Sequence, residues 1–96
     1  MIECFRISDH LSTGKENAIN TNELSRLYGF NSREIRSLVE TERKQGSMIC
    51  SDHNGYYLAE SFAEVLTWNN SMKRRIKNME KSCAAVMQTA HDVFHE

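Results

Sequence analysis

Apolar residues recur along this chain in two rhythms, and the rhythms divide it into elements. Cys4, Ile7 and Leu11 stand three or four apart and predict a first helix from about Glu3 to Leu11, ended by Thr13-Gly14. Asn17-Ala18-Ile19 reads as one short strand with Ile19 inward. The polar run Asn20-Thr21-Asn22 opens a second helix, with Thr21 as its cap. Leu24, Leu27 and Tyr28 share one face of it, and Gly29 supplies a left-handed stop. Phe30 then sits in a turn, where it is expected to plug the core. Asn31 caps a third helix, and Glu34, three residues on, completes a capping box. Ile35, Leu38 and Val39 form the inward face of this helix. Gly46 closes it after Arg43-Lys44-Gln45, which sets cations at the negative end of the helix dipole.

Beyond Gly46 the pattern changes to short strand-like runs. Met48-Ile49-Cys50-Ser51 and Tyr56-Tyr57-Leu58 flank the polar turn Asp52-His53-Asn54-Gly55 and predict a hairpin. Ser61 caps a fourth helix, with Glu64 in the capping-box position. From there Phe62, Val65, Asn69, Met72, Ile76, Met79, Cys83, Val86, Ala90 and Val93 follow in steps of three and four without a break. Continuous helix from Ser61 to Phe94 spans about 50 Å. Phe62, Val65 and Leu66 are expected to fold back onto the small core, and the later turns to have no core to cover.

Helix, tight turn, Arg-bearing helix and hairpin, in that order, is the plan of a winged helix-turn-helix. The predicted fold is therefore mainly α with a small β-hairpin wing. It comprises a winged helix-turn-helix domain over residues 1–60 and a long amphipathic coiled-coil helix over residues 61–96.

Composition narrows the class. The chain has 96 residues, enough for one small core. It has no apolar run long enough to span a membrane and no basic-then-apolar leader at its start. Cys4, Cys50 and Cys83 are an odd number at unrelated spacings, which fits free thiols and a cytoplasmic location. The formal net charge is −1. A nucleic-acid footprint on this chain must therefore be local rather than global. No phosphate-cradling glycine loop, nucleophile motif or conspicuous carboxylate pair is present, so the expectation is a binding protein without enzymatic activity or cofactor. Cys50-x-x-His53 and His91-x-x-x-His95 have metal-ligand spacing, but the pairs lie on different elements, and no metal site is expected.

Ser32, Arg33, Arg36, Ser37 and Glu40 project away from the inward face of the third helix. Arginine can pair bidentately with guanine, and serine can bond a base or a phosphate. Arg33 and Arg36 are the expected specificity residues, and Arg26, Arg43 and Lys44 the expected phosphate contacts. The hairpin tip carries no Lys or Arg, but His53 and Asn54 can donate hydrogen bonds to DNA. On the fourth helix, Asn69, Met72, Ile76, Met79, Cys83 and Val86 form the expected dimer seam. Asn69 is there the polar residue that fixes register, and Arg75 can meet Glu80 across a parallel pair. Lys73, Arg74, Arg75, Lys77 and Lys81 add a basic segment that can touch DNA backbone or an acidic partner.

Leu24-Ser25-Arg26-Leu27-Tyr28-Gly29-Phe30-Asn31-Ser32-Arg33-Glu34-Ile35-Arg36, then Gly46 to Ser51 and Gly55 to Leu58, resembles the winged-helix domains of bacterial and bacteriophage DNA-binding proteins. The layout is similar to the N-terminal domain of the biotin operon repressor, and closer to small phage and prophage proteins of Gram-positive bacteria. The resemblance covers about Cys4 to Ala59. It implies base-reading positions at Ser32, Arg33, Arg36 and Ser37. Glu42 stands where such sequences often carry Leu. The expected function is sequence-specific binding of double-stranded DNA as a homodimer, regulating transcription or replication. Winged helices also serve as protein-binding scaffolds, so an adaptor that docks a protein partner is the alternative.

Overall fold

The computed structural model describes residues 5–94. The expected start of the first helix at Glu3, with Cys4, lies outside the described residues. The molecule is mainly helical, with one two-stranded antiparallel hairpin: α1 (Thr21–Tyr28), α2 (Ser32–Lys44), β1 (Ile49–Asp52), β2 (Gly55–Leu58) and α3 (Phe62–Phe94).

The N-terminal segment departs from the helix expected there. Among the described residues of this segment, Ile7–His10 is helical, as a 3₁₀ turn, and Leu11 is already extended. Pairing to the hairpin explains the early exit. Ser12 accepts from the Leu58 amide at 2.9 Å, and the Gly14 amide donates to the Leu58 carbonyl at 2.9 Å. These bonds hold residues 12–14 extended along β2. A single turn is still enough to bury Ile7 and Leu11. The strand expected at 17–19 is likewise reduced. Lys15–Asn17 forms a second 3₁₀ turn, and Ile19 alone pairs with Tyr56, through reciprocal bonds of 3.0 and 2.9 Å. Together these segments cover the outer edge of β2, which would otherwise offer unpaired backbone groups.

Asn20, one residue before the expected Thr21, caps α1, its Oδ1 accepting from the Glu23 amide at 2.8 Å. Gly29 ends the helix at φ +80°, a left-handed conformation that costs glycine little. Asn31 and Glu34 form the full capping box of α2 through bonds of 2.8 and 2.9 Å. Ile7, Leu24, Ile35, Val39 and Ile49 are almost wholly buried and, with Leu11, make the core, against which Phe5, Ile19, Tyr28, Phe30 and Leu38 pack.

The hairpin pairs Ile49 with Leu58 and Cys50 with Tyr57. Since alternate strand residues face opposite sides, Ile49 and Leu58 point to the core while Cys50 and Tyr57 point to the side that α3 covers. Burial there pushes both the Cys50 thiol and the Tyr57 phenol up in pKa. Gly55, after the two-residue turn, has φ +129°, and a Cβ on it would stand 2.1 Å from the Ile19 carbonyl oxygen. Both the backbone conformation and this close approach exclude a side chain.

α3 runs unbroken for 33 residues. Ser61 caps it, its Oγ accepting from the Glu64 amide at 3.3 Å. The Glu64 carboxylate does not return to Ser61 as a capping box requires. It accepts from the Glu60 amide at 2.8 Å and the Lys15 amide at 3.3 Å, tying the helix start to the N-terminal segment. Val65, Trp68, Asn69 and Met72 are half-buried on the side facing the hairpin, and residues 73–89 are exposed throughout. Phe62, expected to fold back, is instead 75% exposed, and Leu66 is also exposed. At 100° per residue both fall beside the Val65–Trp68–Met72 line that meets the hairpin. Projection of α3 gives a radius of gyration of 17.3 Å and a longest extent of 57 Å. A compact chain of this length would have a radius near ~12–13 Å. Among the described residues, no helix is long and apolar enough to cross a membrane.

Candidate nucleic-acid interface

α2 is held rigidly at both ends and on one face, and this determines what its other face can do. Its start is fixed by the capping box and by Phe30, whose ring lies 5.0 Å from that of Phe5. Ile35 and Val39 anchor its inner face. Glu42, in its last turns, is buried, and its carboxylate accepts from the Ile7 amide at 2.6 Å and the Ser8 amide at 3.0 Å. It thus satisfies the free donors at the start of the N-terminal 3₁₀ turn, and the Arg6 guanidinium stands 3.9 Å away. A leucine at this position would leave those donors unmet.

On the outward face, Ser32, Arg33, Arg36, Ser37, Glu40 and Lys44 are all exposed. Among the described residues, Arg33 and Arg36 make no hydrogen bond or ion pair. Their guanidinium groups are therefore open to an external acceptor, and both project from the first half of the helix. Lys44 stands 3.7 Å from Glu40, an exposed pair of the kind that yields readily to a competing phosphate. Ser37 is placed differently from the arginines. It stands on the lip of a groove of about 500 Å³ between α2 and the N-terminal segment, lined also by Phe5, Phe30, Leu38 and Gln45. Arg26, on α1, is exposed and paired with Glu23 one helical turn earlier.

Arg43 is not available as a phosphate contact in the way the sequence leads one to expect. Its Nε donates to the Ile49 carbonyl at 2.8 Å, its Nη2 to the Ser51 hydroxyl at 3.3 Å, and its guanidinium lies 4.6 Å from the centre of the Trp68 ring. Burial lowers its pKa, an effect opposed by Tyr56, Cys50 and Glu40. The residue clamps α2, β1 and α3 together. Trp68 is the missed partner in this clamp, and its indole Nε1 is buried without a hydrogen bond. A sequence signal for it existed in the lone tryptophan at helical spacing from Val65 and Met72.

The hairpin tip satisfies itself. Asp52 Oδ1 accepts from the Asn54 amide at 2.8 Å, leaving the exposed His53 and Asn54 side chains facing solvent. Of the two spacings considered for metal, Cys50 is buried while His53 is exposed, and His95 lies outside the described residues. Among the described residues, the carboxylates of Glu16, Glu60 and Glu64 come together, with both Glu64 oxygens already accepting from the Lys15 and Glu60 backbone amides.

On α3, Ile76, Met79, Val86 and Val93 are each more than half exposed, and Cys83 is exposed. Asn69 and Met72, expected in the same seam, are half-buried at the hairpin end of the helix instead. Lys73, Arg74, Arg75, Lys77 and Lys81 are all exposed.

No protein-family model matches the chain, and no curated protein or solved structure matches it.

Proposed function

We propose that this chain is a winged helix-turn-helix protein that binds double-stranded DNA through the outward face of α2, as a homodimer joined by α3. The observation that carries the reading is the pair Arg33 and Arg36, exposed and without side-chain partners among the described residues, on a helix whose cap and inner face are fixed. A rigid helix bearing free guanidinium groups near its start is suited to the major groove, where arginine pairs bidentately with guanine. Ser32 joins them as a base or phosphate contact, and the exposed Lys44 and the basic segment from Lys73 to Lys81 supply the backbone phosphate contacts of this reading. Arg26 can do so once released from Glu23. Binding without chemistry fits a regulator of transcription or replication.

A second reading, an adaptor that docks a protein, is favoured by the groove beside α2, the uncharged tip residues His53 and Asn54, and the net charge of −1. Salt separates the two. Phosphate contacts release counterions, so DNA affinity falls steeply between low and moderate salt, whereas docking to an apolar groove barely responds.

Selection from a random double-stranded DNA pool tests the proposal, with retained sequences read out and affinity followed across a salt series. Enrichment of a motif with a steep salt slope is expected. Arg36→Ala is expected to lose about 1–3 kcal/mol on the enriched site and to relax the preference at one base position. No retention at low salt would overturn DNA binding and leave the adaptor reading.

A further inference from the structure

Among the described residues, the apolar stripe of α3 is exposed from Ile76 to Val86, and three separate observations bear on what covers it. We propose that a second copy of this chain does, with the two α3 helices antiparallel and the two globular ends at opposite ends of the pair. This rests on the homodimer of the preceding reading and adds its orientation.

The first observation is where the globular end sits. Val65, Trp68, Asn69 and Met72 are half-buried against it, and they lie on the same helical face that continues as Ile76, Met79, Cys83, Val86, Ala90 and Val93. Paired helices lie about 8–10 Å apart. In a parallel pair in register, the partner helix at residues 65–72 would run through space this chain's own hairpin occupies. In an antiparallel pair the layers from 76 to 93 match among themselves and call on nothing nearer the hairpin.

The second is side-chain volume. Antiparallel pairing sets Ile76 against the partner's Val93, Met79 against the partner's Ala90, and Cys83 against the partner's Val86. The same layers repeat in reverse on the other side of the two-fold axis. Each layer then joins a larger residue to a smaller one, which evens the packing along the seam. Parallel pairing would stack Met79 on the partner's Met79 and Ala90 on the partner's Ala90, crowding one layer and leaving a void in the other.

The third is charge. Lys73, Arg74, Arg75, Lys77 and Lys81 crowd the first half of the projecting helix, with Glu80 the one acid among them, and no Lys or Arg follows Lys81. Parallel pairing would lay the two basic segments side by side. Antiparallel pairing lays each along the half that carries Asp92, and it opposes the helix dipoles. The Arg75–Glu80 pair open to a parallel dimer is outweighed by this repulsion. Trp68 and the partner's Trp68 then lie about 50 Å apart along the axis, at the α-helical rise. That exceeds the separation of half-sites one DNA turn apart, ~34–36 Å.

Disulfide trapping tests the orientation. The full chain is prepared with Cys4→Ser and Cys83→Ala, Cys50 being buried, and then with either Ile76→Cys or Val93→Cys added. Each preparation, and an equimolar mixture refolded together, is oxidised and run without reductant. A covalent dimer in the mixture alone is expected, because positions 76 of the two copies stand about 25 Å apart in the antiparallel pair. Covalent dimers from each variant alone, with none of mixed composition beyond chance, would overturn the orientation in favour of a parallel pair. Sedimentation of the unmodified chain as a monomer would overturn the pairing itself. These measurements contain no DNA. A failed DNA selection leaves them standing, and a failed crosslink leaves the α2 reading standing.

Discussion

Glu42 shows how one side chain can decide the conformation of a segment distant in sequence. Pairing to β2 ends the N-terminal helical segment early, and its 3₁₀ turn exposes amides that have no partner within the turn. The buried Glu42 carboxylate supplies the acceptors at 2.6 and 3.0 Å. Removing it strands the Ile7 amide in the core. Glu42→Ala is expected to destabilise the fold by about 1–3 kcal/mol, read as a lower urea midpoint with an unchanged slope. Glu42→Gln, which keeps one acceptor, is expected to lose less. Equal stability of Glu42→Ala and the unaltered protein would show these bonds to be without net value.

Between elements, the Arg43–Trp68 contact sets the direction in which α3 leaves the hairpin. Arg43 bonds the Ile49 carbonyl and the Ser51 hydroxyl while its guanidinium covers the Trp68 ring. A cation over an aromatic ring in a partly desolvated place contributes about 1–2 kcal/mol, and the bond to a buried carbonyl a similar amount. Arg43→Ala is therefore expected to lower stability and to shift Trp68 fluorescence toward that of a solvated indole. On DNA it should leave the sequence preference intact, in contrast to Arg36→Ala. A changed preference with unchanged stability would return Arg43 to the recognition surface.

Taken whole, the molecule is a small globular end with a helix projecting well past it, as the 57 Å extent records. An apolar stripe of that length is seldom left in water. Met79→Asp with Val86→Asp places carboxylates on the stripe at positions more than half exposed in the single chain. Self-association, measured by sedimentation, is expected to weaken by at least roughly tenfold, because a carboxylate buried without a partner costs far more than the ~1.4 kcal/mol that tenfold represents. The globular end should keep its Trp68 fluorescence. Unaltered association would place the contact on another surface.

What could be read from residue order alone follows from the range of the forces involved. The Asn31–Glu34 capping box, the Gly29 stop, the inward face of α2, the hairpin around Gly55 and the unbroken α3 are set by neighbours within four residues, so spacing and residue type were enough. The exposure of Arg33 and Arg36 followed from the same periodicity. The shortened N-terminal turn, the single pairing of Ile19, the exposed Phe62 and the inward role of Arg43 did not, because each depends on a partner far along the chain: Leu58, Tyr56, the hairpin surface and Trp68. Local pattern fixes which face of a helix is apolar. Only packing in three dimensions decides how much of that face the chain itself can cover, and here, among the described residues, α3 is half-buried at Met72 and exposed from residue 73 to residue 89.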